Sequence, residues 1–186
     1  MYTIRPYQTK DFDGVKDICV GLADDMWKSN PMLSEALEVV FCRYYVEKEP
    51  ENCFVAVNEA DEVKGYVLCA KDYDRYVKTF TADYMETSGN QAVKMMGQST
   101  IDAMTALAGE YPAHLHIDLY PETQGQGVGR QLIETLEAHL KAQGVKGLML
   151  DVAKDNTGAQ KFYEKVGFSV LHDGDQEITM GVKLQA

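Results

Sequence analysis

The sequence has no CxxC pair, no internal repeat and no Pro- or Ser-rich linker. Its cysteines, Cys19, Cys42, Cys53 and Cys69, are scattered along the chain. That disfavours a secreted disulfide scaffold and leads us to expect reduced, mostly buried thiols in a cytoplasmic protein. No apolar run approaches the roughly 20 residues that a membrane helix needs. The opening "MYTIRPYQTKD" lacks the apolar core of a signal peptide. Without repeats or linkers, the 186 residues are expected to form one domain spanning 1–186.

Positive charge is also scarce. Lys and Arg total 18 against 29 Asp and Glu, giving a formal net charge of -11 and a pI near 4.8. Such a field repels a nucleic acid or an anionic membrane surface, so neither is expected as a partner. It attracts a cationic small molecule or a basic peptide.

What is present alternates between strand and helix patterns. "YTIRP" reads as a strand, and a helix beginning near Asp11 carries Val15, Ile18, Cys19 and Leu22 at helical spacing. Ser34 is a candidate cap for a second helix, "EALEVVFCRYYVEK", which Pro50 stops. "CFVAV" and "KGYVLCA" form a hairpin pattern around "NEADEV". From Asp72 to Gly109 no clean period emerges until the helix-like "QAVKMMGQSTIDAMTALAG". This stretch reads either as an acceptor wall, lined by Tyr73, Tyr76, Phe80 and Tyr84, or as a structural insertion or homodimer contact. "AHLHIDLY" is a strand, "GRQLIETLEAHLKAQ" a helix with Leu132, Ile133, Leu136 and Leu140 on one stripe, and "GLMLDV" a second strand. A short helix, "NTGAQKFYEKV", and two strands around "DGD" complete an α/β pattern.

Between the two central strands lies "PETQGQGVGRQL". A glycine-rich loop opening a helix turns several backbone N–H groups one way and adds the positive end of the helix dipole, a setting for phosphate. Gly127 and Gly129 let backbone approach the anion, and Arg130 offers a charged contact. A P-loop requires Lys-Ser/Thr where Arg130-Gln131 stands, and the dinucleotide fingerprint requires glycine at Arg130. Both fail, although Asp151 lies roughly where a ribose-binding acid would.

The loop and the segment after it, "LYPETQGQGVGRQLI" and "LDVAKDNTGAQKFYEKVGF", resemble the GNAT superfamily of N-acetyltransferases. The family loop Q/R-x-x-G-x-G/A is matched by Gln124, Gly127 and Gly129, and a second element by Asn156, Tyr163, Gly167 and Phe168. These motifs lie within residues 113–170. The resemblance implies a single α/β domain whose mixed sheet is largely antiparallel, with a splayed central parallel pair and flanking helices. It implies acetyl-CoA as co-substrate. The pyrophosphate would sit on Gln124, Gly125, Gln126, Gly127, Val128, Gly129 and Arg130, and the pantetheine and thioester on the main chain around Ile117 and Leu119. Asn156 would contact the cofactor, and Tyr163 would lie near the sulfur. The acceptor would be a primary amine, on a small cationic molecule or on a peptide. A catalytically inactive CoA-binding or partner-binding module is the alternative within the same fold.

The chemistry follows from residue types. An alkylammonium must lose a proton before attacking the thioester carbonyl, and the departing thiolate must be protonated. A phenol such as Tyr163 suits that second task, because phenol and thiol reference pKa values differ by only about 1.5 units. For the first, His114, His116 and Asp118 share one face of their strand by period two. His116 is the favoured base, with Asp118, His114, Asp151 or no dedicated base as alternatives. H-x-H-x-D also matches part of a zinc set, but only His139 and His172 remain to complete it, and His139 falls near the wet side of its helix. No metal is expected.

Overall fold

The computed structural model describes residues 1–184. Seven strands form one sheet in the order β1-β2-β3-β4-β5-β7-β6. They are β1 (Thr3–Pro6), β2 (Phe54–Val57), β3 (Val63–Ala70), β4 (Ala113–Leu119), β5 (Gly147–Ala153), β6 (Ser169–Asp173) and β7 (Glu177–Lys183). Every neighbouring pair is antiparallel except β4 and β5. This is the single-domain α/β mixed sheet expected above.

Helices cover both faces. On one lie α1 (Phe12–Gly21), α2 (Asp25–Ser29), α3 (Pro31–Glu38), α4 (Tyr44–Lys48), α5 (Tyr73–Phe80) and α6 (Gln91–Thr105). Their core joins Val15, Ile18, Val40, Tyr44 and Tyr45 to Tyr66 and Met149 of the sheet. On the other lie α7 (Val128–Ala142) and α8 (Thr157–Lys165), whose Leu132, Ile133, Leu136 and Tyr163 pack on Leu115, Leu148 and Leu150. The strand alternation puts His114, His116 and Asp118 on the first side and Leu115, Ile117 and Leu119 on the second.

Several local expectations need correction. The second helix is capped by Asn30, whose side chain accepts from the amides of Met32 and Leu33, and Pro31 takes the first turn. Proline there loses no hydrogen bond, so the helix begins before Ser34. It runs on through a π-helical turn, Val39–Arg43, into α4. The first helix ends at Gly21, leaving Leu22 outside it and exposed.

The stretch after Asp72 is helical because Tyr73, Tyr76, Phe80 and Tyr84 recur at three- and four-residue steps. Those rings are buried: Tyr76 and Phe80 stack with centroids 5.4 Å apart, as do Phe80 and Tyr84. They are core and do not line an acceptor wall.

The stops after the central elements are glycines in left-handed backbone, Gly144 after α7 (φ 73°) and Gly167 after α8 (φ 102°). Glu137 and Lys141 pair at 3.1 Å on α7. His139 is half-buried, with Nε2 2.9 Å from Asn52 Oδ1, because α7 packs against the end of β2 there. All four cysteines are buried and free. Among the described residues no helix is long and apolar enough to cross a membrane.

Candidate active site

The central strands part company early. β4 and β5 face each other only at Ala113↔Leu148 and His114↔Met149. Beyond that point β4 pairs with β3 alone, and β5 with β7 alone. The residues from Leu115 to Leu119 therefore keep backbone polar groups on the β5 side that no strand satisfies. Buried main-chain groups of that kind need a partner. A cleft of about 910 Å³ fills the gap, lined by Ile117, Leu119, Gln124, Gly125, Gly127, Val128, Gly129, Arg130, Asn156 and Tyr163 among others.

At its mouth the glycine loop does what its composition suggests. Gly125 and Gly127 adopt left-handed backbone, φ 73° and 77°, and Gly127 caps α7. Among the described residues, the N–H groups of 125 to 130 meet no acceptor; the first helical bond is Gln131 N–H to Gly127 O at 3.0 Å. A run of free donors at a helix N-terminus is a seat for a phosphate. Gly129 has a different reason to be glycine. A Cβ there would lie 3.1 Å from Cζ of Phe162, so any side chain would need the Phe162 ring to give way.

The remaining loop residues divide. Arg130 Nη2 donates to Lys165 O at 3.0 Å and leaves part of its guanidinium at the cleft. Val128 buries its side chain in the core, leaving only its backbone for a ligand. Gln126 does not line the cleft; its amide donates back to Glu122 O at 2.7 Å. Asn156 caps α8 by accepting from Ala159 N–H at 3.1 Å, and it also lines the cleft.

Deeper in, Tyr163 approaches from α8 on one side, and His116 and Asp118 from β4 on the other. Burial, with the nearby Asp118 charge, pushes the Tyr163 phenol well above its ordinary range and keeps it protonated. Burial raises Asp118 to about 6, against a hydrogen bond from Tyr66 that favours the carboxylate. The Tyr66 hydroxyl donates to Asp118 Oδ2 at 2.5 Å. Asp151, opposite on β5, is likewise raised to about 6 by burial, and accepts from Thr179 Oγ1 at 2.6 Å. Burial lowers His116 to about 4, and burial with the neighbouring His116 holds His114 well below its ordinary value, so both imidazoles are neutral near pH 7.

His114 does not reach the cleft; it is fully buried. Among the described residues, no three His, Cys, Asp or Glu side chains converge as metal ligands. Sequence reasoning missed Cys19, Leu22 and Phe41, which form the wall from α1, the residue that caps it and the π-turn, and Tyr45 and Tyr66, which hold the β4 side chains. The π-turn places Phe41 beside His116, with ring centroids 5.0 Å apart. Such turns recur at functional sites, but one residue inserted into a helix leaves no mark on an apolar pattern.

Comparison with known proteins agrees with this geometry. Over 168 residues the chain is 29% identical to N-alpha-acetyltransferase 30 of Schizosaccharomyces pombe, covering 90% of this chain and 84% of that one. Over 92 residues it is 33% identical to the [ribosomal protein bS18]-alanine N-acetyltransferase of Escherichia coli K12, 50% of this chain and 62% of that one. The crystal structure of SsHAT superposes with a TM-score of 0.86 at 28% identity, covering 100% of this chain and 99% of that one. The acetyltransferase (GNAT) family model matches residues 20–168. The chain belongs to this family and is an acetyl-CoA-dependent N-acetyltransferase.

Proposed function

We propose that the protein transfers the acetyl group of acetyl-CoA to a primary amine, on a small cationic molecule or on a peptide, by direct attack on the thioester. The observation that carries this reading is the gap between β4 and β5 beyond His114 and Met149, with free N–H groups at its mouth and Tyr163, His116 and Asp118 at its floor. Acetyl-CoA supplies the thioester. The main chain of 125 to 130 binds the pyrophosphate, and the unpaired edge of β4 around Ile117 and Leu119 holds the pantetheine and polarises the carbonyl.

Tyr163 donates its proton to the departing sulfur. His116 receives the proton of the ammonium, directly or through water, and ionised Asp118 two residues along the same face draws the cationic amine toward it. The relatives named for protein α-amine acetylation support a peptide amine, and the net charge of -11 supports a cationic one. The domain organisation that goes with this is one acetyltransferase unit across residues 1–186, its cofactor motifs within 113–170.

Thiol release from acetyl-CoA across a panel of polyamines, amino sugars and peptides with free N-termini tests the reading. Turnover with one amine class, lost in Tyr163→Phe, is the expected result. Tight acetyl-CoA binding with no amine turned over would favour the inactive binding module instead.

A further inference from the structure

The Tyr45 hydroxyl stands between two histidines, 2.9 Å from Nε2 of His114 and 2.9 Å from Nε2 of His116. A phenol has one proton to give. With both imidazoles neutral, it donates to one Nε2 and must accept an N–H from the other. The two rings are therefore opposite tautomers, and whichever form His114 takes dictates the form of His116.

His114 is fully buried and its Nδ1 has no hydrogen-bond partner. Its ring is packed edge-to-face by tyrosines: Tyr76 at 4.4 Å, Tyr73 and Tyr45 each at 5.6 Å between centroids. Aromatic faces carry negative charge and attract an N–H, whereas they repel a lone pair. An N–H among these rings is favoured over a lone pair, which points to Nδ1 of His114 as the protonated nitrogen and to its Nε2 as the acceptor from Tyr45. His116 must then donate its Nε2–H to Tyr45, which leaves its Nδ1 bare. That nitrogen is not among the buried unpartnered atoms, and its residue lines the cleft.

We propose that Tyr45 is a positioning residue that locks His114 and His116 in opposite tautomers and presents the unprotonated Nδ1 of His116 to the cleft. The tautomers rest on the hydrogen-bond geometry together with the neutrality of both rings; their use rests on the reading of His116 as proton acceptor. In that use the ammonium proton passes to Nδ1, the amine nitrogen keeps the electron pair, and Nε2–H stays on Tyr45. Without the hydroxyl, His116 would be free to rotate and to take the donor tautomer.

The direct test is a long-range 1H–15N spectrum of the ¹⁵N-histidine-labelled protein at pH 7, with His114→Gln and His116→Gln variants to assign the rings. The expected pattern is His116 protonated at Nε2 and His114 at Nδ1. Identical tautomers, or His116 protonated at Nδ1, would overturn the proposal. As a second reading, Tyr45→Phe should lose the fixed tautomer signature of His116 and lower kcat roughly tenfold with KM for acetyl-CoA unchanged. An unaltered His116 signature in that variant also overturns it. Should the tautomers stand as stated while His116→Gln leaves kcat intact, the positioning survives and the role of His116 as base falls.

Discussion

His114 of β4 and Met149 of β5 are the last residues across which the two central strands pair. One step further the strands separate, and the glycine loop, Tyr163, His116 and Asp118 are arranged around that separation. A continuous ladder here would close the cleft and satisfy the very backbone groups that we propose hold the thioester.

Tyr163→Phe removes the proton that, on the proposed reading, α8 offers to a departing thiolate. General acid catalysis of this kind contributes about 10²–10⁴-fold. The expected outcome is a fall of that order in kcat with acetyl-CoA affinity little changed, read by steady-state kinetics and calorimetry.

The two loop glycines should fail differently. Gly127 is left-handed, and a methyl group added to it would meet no atom nearer than 3.9 Å, so Gly127→Ala costs about 1 kcal/mol through backbone strain. Asparagine tolerates that conformation and should recover part of the loss. Gly129→Ala meets Phe162 at 3.1 Å and costs about 1 kcal/mol through overpacking, and Gly129→Asn should be worse. Thermal unfolding of the four variants checks the contrast.

Stability against pH has opposing parts. Folding lowers the pKa of His114 and His116, so the folded protein binds fewer protons than the unfolded chain between about pH 4 and 6.5. Their contribution is present above that window and lost as pH falls through it. Folding raises Asp118 and Asp151 to about 6, so there the folded protein binds more protons and stability is lost as pH rises from about 4 to 6. Asp118→Asn should therefore make Tm rise more steeply with pH than in the wild type, and His116→Gln less steeply. Differences of about 3 °C or more across the window are expected. Identical slopes in all three proteins would contradict the assignment.

Salt should slow turnover on a cationic amine. The Debye length shrinks from about 30 Å at 0.01 M to about 3 Å at 1 M, removing the attraction of the acidic surface and weakening that of the cleft. A preferred acceptor that is anionic, with turnover indifferent to salt, would refute the cationic reading.

Much of the site was legible because its parts are local. Gln124, Gly127 and Gly129 span one loop and the first turn of α7, and Asn156 and Tyr163 the cap and body of α8. Period two placed His116 and Asp118 together without any fold. The acceptor side was not legible for the opposite reason. Tyr45 meets His116 across 71 residues of sequence, and Phe41 reaches the cleft only through a π-turn. The aromatics from Tyr73 to Tyr84 carried a helical period that the interleaved charges obscured, and burial rather than lining explains them.

The most direct test of the central claim is calorimetric titration of acetyl-CoA into the wild-type protein and into Gly127→Ala. The account predicts micromolar binding to the wild type, about -8 kcal/mol, weakened roughly fivefold or more in the variant because the added Cβ stands where the backbone approaches the pyrophosphate. No binding to the wild type, or equal binding to both proteins, would contradict the claim that this loop and the cleft behind it hold the acetyl donor.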